Sequence, residues 1–190
     1  VSLAAPVGEG AGLVEEDPEL GPAGPEAGAV GPFGAGAFGG AGVGGVGFDE
    51  ERAAVFGAER VEERVFPYGD LVRSGAVVTF GADLPGVDVD EIPPLIQIEA
   101  LVTRQRPGRP DDRPAGVHER VSVAEALRCY TMNGAWALRI DDRVGSIEVG
   151  KQADLVLLGA SPFEVRPHEI HAIPVVRTML GGRFTHGASA

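Results

Sequence analysis

With 28 acidic against 16 basic residues in 190 and a formal net charge of −12, the chain lacks the clustered cations that neutralising a phosphate backbone requires, which argues against nucleic acid as a partner. No uninterrupted apolar run is long enough to span a bilayer, and the N-terminus lacks the basic region of a signal peptide, so a soluble, cytoplasmic protein with no membrane partner is expected. A single cysteine, Cys129, excludes an intramolecular disulfide and suits a reducing compartment.

Residues 1–48 hold about half of the chain's 29 glycines, and 1–47 contain no Lys or Arg. No apolar period of 3.6 or 2.0 runs through them. Gly and Ala bury too little surface to offset the entropy of ordering, so this stretch reads as a disordered, low-complexity segment. The first residue is Val rather than Met, which leaves a non-ATG start, a clipped sequence or a frame-shifted upstream region as open as a translated tail.

At Asp49 the composition changes. Asp49 can cap a charged helical pattern in which Val55, Val61 and Val65 alternate with Glu and Arg. Pro67 opens a short helix through Leu71 and Val72, and Ser74-Gly75 closes it before an apolar strand over 76–80. Residues 92–102 predict a helix with Leu95, Ile98, Ala100, Leu101 and Val102 on its apolar side. Residues 104–114, rich in Arg, Pro and Asp, predict an exposed loop whose cations are balanced by Asp111 and Asp112. Ser122 and Glu125 form a capping-box signal for one helix carrying Leu127, Tyr130 and Trp136, bent at Asn133-Gly134. Cys129, among its apolar positions, reads as a small buried side chain rather than a nucleophile.

Residues 144–158 read as a hairpin. Ile147 and Val149 alternate with Ser146 and Glu148, Gly150-Lys151 supplies the reversal, and the run Leu155 to Leu158 suits a strand covered on both faces. Ser161-Pro162-Phe163 then reads as a turn, Glu169 to His171 as a short helical piece, and 175–179 as a strand answered by Phe184 across Gly181-Gly182. The periodicity places Val77, Phe80, Leu127, Trp136, Ile147, Leu155 and Leu157 in the core.

The hairpin's wording, Gly-Ser-Ile-Glu-Val-Gly-Lys-Gln-Ala-Asp-Leu-Val over 145–156, resembles the C-terminal part of metal-dependent amidohydrolases of family 3. The stretches Val123-Ala-Glu-Ala-Leu-Arg-Cys-Tyr-Thr-Met-Asn-Gly-Ala-Trp136 and Val176-Arg-Thr-Met-Leu-Gly-Gly-Arg183 extend the likeness toward the branch that includes N-substituted formamide deformylases. The resemblance runs from about residue 56 to 184. It implies an α/β fold: the last β/α units of a partial TIM barrel over 49–142, followed by C-terminal strands of a small β-sandwich over 143–190. A complete barrel needs roughly 250 residues before any second domain is added, so this chain is expected to carry only part of the family fold.

The same resemblance gives Asp83 a role. In Phe80-Gly-Ala-Asp-Leu-Pro-Gly86 it matches the aspartate that closes the eighth barrel strand, contacts the metal and accepts a proton from the attacking water. From the residues alone, Asp83 equally starts a turn before Pro85. The usual phrase is Gly-Ser-Asp-Trp-Pro, and Ala82 and Leu84 depart from it, removing a hydroxyl and an indole from the pocket wall. The family holds a divalent metal, typically zinc, with a His-x-His pair and further histidines on earlier strands. The four histidines of this chain, His118, His168, His171 and His186, show no His-x-His spacing and read as surface residues.

Two functions follow. One is the distal portion of a hydrolase that cleaves non-peptide carbon–nitrogen bonds of a small amide or formamide with a metal-activated water, inactive and without bound metal as this chain alone. The other is a non-enzymatic, truncated or pseudo-enzyme remnant that needs a partner supplying the missing barrel.

Overall fold

The computed structural model describes residues 2–4, 49–63, 66–81, 90 and 92–187. Most of the 1–48 stretch therefore lies outside the described residues. Within it, Ser2–Ala4 forms a strand, β1, a local departure from the disordered reading.

Asp49 caps the first helix as expected. Its Oδ1 accepts from the backbone N–H groups of Glu51 and Arg52 at 2.9 and 3.1 Å, satisfying donors that a helix start leaves open. Helix α1 (Glu50–Phe56) ends at Gly57, whose φ of 89° disfavours any residue with a Cβ, and α2 (Ala58–Glu63) follows. Pro67 precedes α3 (Tyr68–Arg73), and the chain leaves that helix through Ser74 and Gly75. Residues 76–80 do not form a strand, and only Gly81 makes an isolated bridge. Val78 and Phe80 are nevertheless buried: the apolar residues found a core but no neighbouring ladder among the described residues.

Helix α4 (Pro94–Thr103) starts with a proline at its first position, where the missing N–H costs nothing. It buries Leu95, Ile98, Ala100 and Leu101, as the pattern predicts, and also Gln97, Glu99 and Thr103. Being covered on nearly every side, it is the central helix. The capping box at Ser122 is present: Ser122 Oγ accepts from Glu125 N at 3.1 Å, and Glu125 Oε2 accepts from Ser122 N at 2.7 Å. The helix it starts, α5 (Val123–Tyr130), does not continue to Trp136. It breaks at Thr131, with φ −118° and ψ −88°, and α6 (Met132–Ala137) begins anew. Thr131 Oγ1 donates back to Leu127 O at 2.8 Å, a local bond that competes with helix continuation two residues before the expected bend.

The hairpin over 144–158 is half realised. Residues 144–150 form turns, with Lys151 N donating to Glu148 O at 3.2 Å and Gln152 N to Arg143 O at 2.8 Å. Alternation alone does not make a strand without a partner, and Ile147 and Val149 are exposed rather than buried. Strands β2 (Leu155–Leu158), β3 (Val175–Leu180) and β4 (Arg183–His186) form with β1 a sheet of order β1-β2-β3-β4. β1 runs parallel to β2, and the other pairs are antiparallel, joined between β3 and β4 at Gly181-Gly182 as predicted. Leu155 to Leu157 are only half-buried, so β2 is not covered on both faces; only Leu158 is fully enclosed.

Core residues come from both sides of position 143. Tyr68, Phe80, Ile98, Leu101, Val121 and Cys129 share one cluster with Leu158, Ile170 and Ile173. Of the residues expected there, Phe80 is buried, whereas Val77, Leu127 and Trp136 are half-buried. Trp136 lies under the Arg139 guanidinium, 4.8 Å from its ring centre, an arrangement of the surface rather than of the core. Among the described residues no helix is long and apolar enough to cross a membrane.

Candidate active site

Asp83 lies outside the described residues; the segment leading to it is described as far as Gly81. Phe80 is clamped between two tyrosines, edge-on to Tyr68 with ring centres 5.2 Å apart and tilted against Tyr130 at 6.1 Å. Tyr130 is fixed in turn by its hydroxyl, which donates to Gln97 Oε1 on α4, and burial pushes its phenol above the ordinary range. Asn133 Nδ2 donates to the carbonyl of the buried Val78 at 2.8 Å. The sequence marks Asn133 only as a bend; its tie to a backbone group 55 residues away leaves no local signal.

Most of the loop after α4 is exposed, as its composition suggests, and Arg106 pairs with Asp112, but its first two residues are enclosed. Arg104 is 0% exposed and Gln105 is buried beside it. Arg104 occupies the helix C-cap with φ 61°, a left-handed conformation costing roughly 1 kcal/mol for a residue with a Cβ. Its Nε donates to Ala115 O at 2.9 Å, and its guanidinium carbon stands 5.7 Å from the Tyr68 ring centre. Burial pulls this guanidinium down to about 10, opposed by Tyr68 and Glu119. Glu119, also buried, accepts from Asp70 N at 2.8 Å and lies 3.8 Å from Arg73 Nη2. Gly116, at φ 62°, lets the chain pass between them, since a Cβ there would come within 3.1 Å of Arg104 Nη2.

The histidines divide. His118 and His186 are exposed, as expected, with His118 Nε2 3.0 Å from Glu63 O. His168 and His171 are only partly exposed, on the 3-10 helix Pro167–Ala172. His171 is no bare surface residue, because its Nδ1 lies 2.6 Å from Oε2 of the fully buried Glu99. The tertiary pairing with α4 is what the sequence could not show. Among the described residues no three His, Cys, Asp or Glu side chains converge into a metal-holding group. A catalytic zinc needs three protein ligands and an open position, so the described residues do not fit a catalytic divalent ion.

Cys129 is buried, and burial pushes its thiol up to about 12. A disulfide-exchange reagent at pH 8 should therefore leave the native chain unlabelled and label one thiol per chain once denaturant is added; stoichiometric labelling without denaturant would contradict the burial.

A family model described as Amidohydrolase family matches residues 45–186. The chain belongs to the amidohydrolase family. Similar curated proteins include imidazolonepropionase of Phocaeicola vulgatus, 44% identical over 72 residues, covering 38% of this chain and 17% of that protein. N-substituted formamide deformylase of Arthrobacter pascens is 31% identical over 119 residues, covering 63% and 21%. Among solved structures, an adenosine deaminase from Xanthomonas campestris with bound zinc is 26% identical over 62% of this chain and 27% of its own, with a TM-score of 0.45. The matched part of this amidohydrolase chain spans less than a quarter of these curated relatives.

Proposed function

We propose that the chain is the distal portion of an amidohydrolase acting on non-peptide carbon–nitrogen bonds of a small amide or formamide. Residues 49–142 are read as the last β/α units of a TIM barrel and 143–190 as C-terminal strands of a β-sandwich. The observation carrying this is the family match over residues 45–186, which includes the Asp83 phrase. In this reading Asp83 follows the segment 76–81, which stands where the family places its last barrel strand but forms no strand among the described residues, and it faces the substrate and accepts a proton from water. Phe80, Tyr130 and Asn133 hold the segment that leads to it.

Activity is assigned to the complete fold. A divalent metal there supplies Lewis acidity and a lowered water pKa, and its histidine ligands belong to strands that this chain does not carry. The alternative, a non-enzymatic remnant that folds against a partner, shares the same ancestry. Its support is the donor set: Asp83 is the one residue matching the family's metal site.

Zinc titration separates the readings. The chain alone is expected to show no tight site under competition with a chelating dye. Added to a polypeptide carrying the histidine-bearing strands, it should give one tight site per complex, weakened by Asp83→Asn. Tight binding by the isolated chain would contradict the proposal, and absence of any site in the complex would favour the remnant.

A further inference from the structure

We propose that the buried Glu99 carboxylate is a latch that makes the C-terminal strands and the helical part of the chain open and close as one body. This does not depend on the chain being part of a hydrolase. Glu99 is 0% exposed in the middle of α4. A carboxyl group in such a place is tolerated only if its oxygens are satisfied. Oε1 accepts from Gly108 N at 2.7 Å. Oε2 accepts from the backbone N–H of His171 at 2.8 Å and faces His171 Nδ1 at 2.6 Å. The Oε2–Nδ1 contact joins the two side chains whichever of them carries the hydrogen.

One side chain thus ties α4 and the nearby turn at Gly108 to the 3-10 helix Pro167–Ala172, whose His171 lies 72 residues further along the chain. That 3-10 helix is the connection between β2 and β3, so whatever holds it to α4 also holds the sheet. Packing follows the same line, since Ile170 and Ile173 enter the core cluster beside Leu95, Ile98 and Leu101. The fit at Gly108 is close: at φ 70°, a Cβ there would lie 3.3 Å from His171 Cε1 and Nε2. The His171 side chain is 33% exposed, making it the member of the latch that can be replaced with least disturbance of the core.

Amide hydrogen exchange on the full chain tests the latch. In the wild type the slowest amides of α4 and β3 are expected to share one opening equilibrium. In His171→Ala, β3 should lose protection about tenfold or more relative to α4, whereas Glu164→Gln, at an exposed position between β2 and the 3-10 helix, should leave the ratio unchanged. Equal loss in both regions, or no loss in either, would overturn the proposal. If His171→Ala does not fold, the wild type decides: matched protection of α4 and β3 supports the latch, and a β3 that opens far more readily overturns it.

Discussion

Replacing Asp83 by Asn in the complete, metal-loaded fold is expected to lower turnover by at least about 100-fold while leaving the circular dichroism spectrum unchanged. The amide is nearly isosteric with the carboxylate, so packing and loop geometry survive, but it cannot accept a proton from water. General acid–base groups contribute roughly 10²- to 10⁴-fold to such reactions. A turn-forming role predicts the opposite outcome, because Asn serves a turn before proline as well as Asp does. Steady-state kinetics on the two proteins therefore distinguish a proton acceptor from a turn residue.

The second large effect falls on stability. Arg104→Met keeps most of the apolar stem but removes a guanidinium that is fully enclosed, bonded to the Ala115 carbonyl and set close to Glu119. The Ala115 carbonyl loses its donor, while Glu119 keeps Arg73 at 3.8 Å and the Asp70 N–H, a loss on the order of 2 kcal/mol. The left-handed backbone at Arg104 is no better suited to Met, so no relief of strain offsets it. Arg109→Met, at an exposed position of the same loop, should change stability by no more than about 0.5 kcal/mol. Urea unfolding of both variants checks this; equal midpoints would mean that the Arg104 charge is dispensable.

What could be read from the sequence was local chemistry between a side chain and its own backbone. Asp49, the Ser122–Glu125 pair, Pro67 and the Gly181-Gly182 turn each act within a few residues, and each is found as expected. Tertiary placement was hidden. Ile147 and Val149 alternate correctly yet meet no strand among the described residues, because a period of two states which face is apolar and not whether a partner exists. Arg104 and Glu99 look like loop and helix-surface charges until the fold encloses them, and Asn133 shows its bond to Val78 only once two distant segments are adjacent. Asp83 could be singled out only through its family phrase.

The measurement that bears most directly on the central claim is turnover of an N-substituted formamide, with zinc supplied, by the purified chain alone and after mixing with a polypeptide carrying the histidine-bearing strands. The expected result is no hydrolysis by either component and zinc-dependent hydrolysis by the mixture, abolished by chelation. Hydrolysis by the isolated chain would contradict the account.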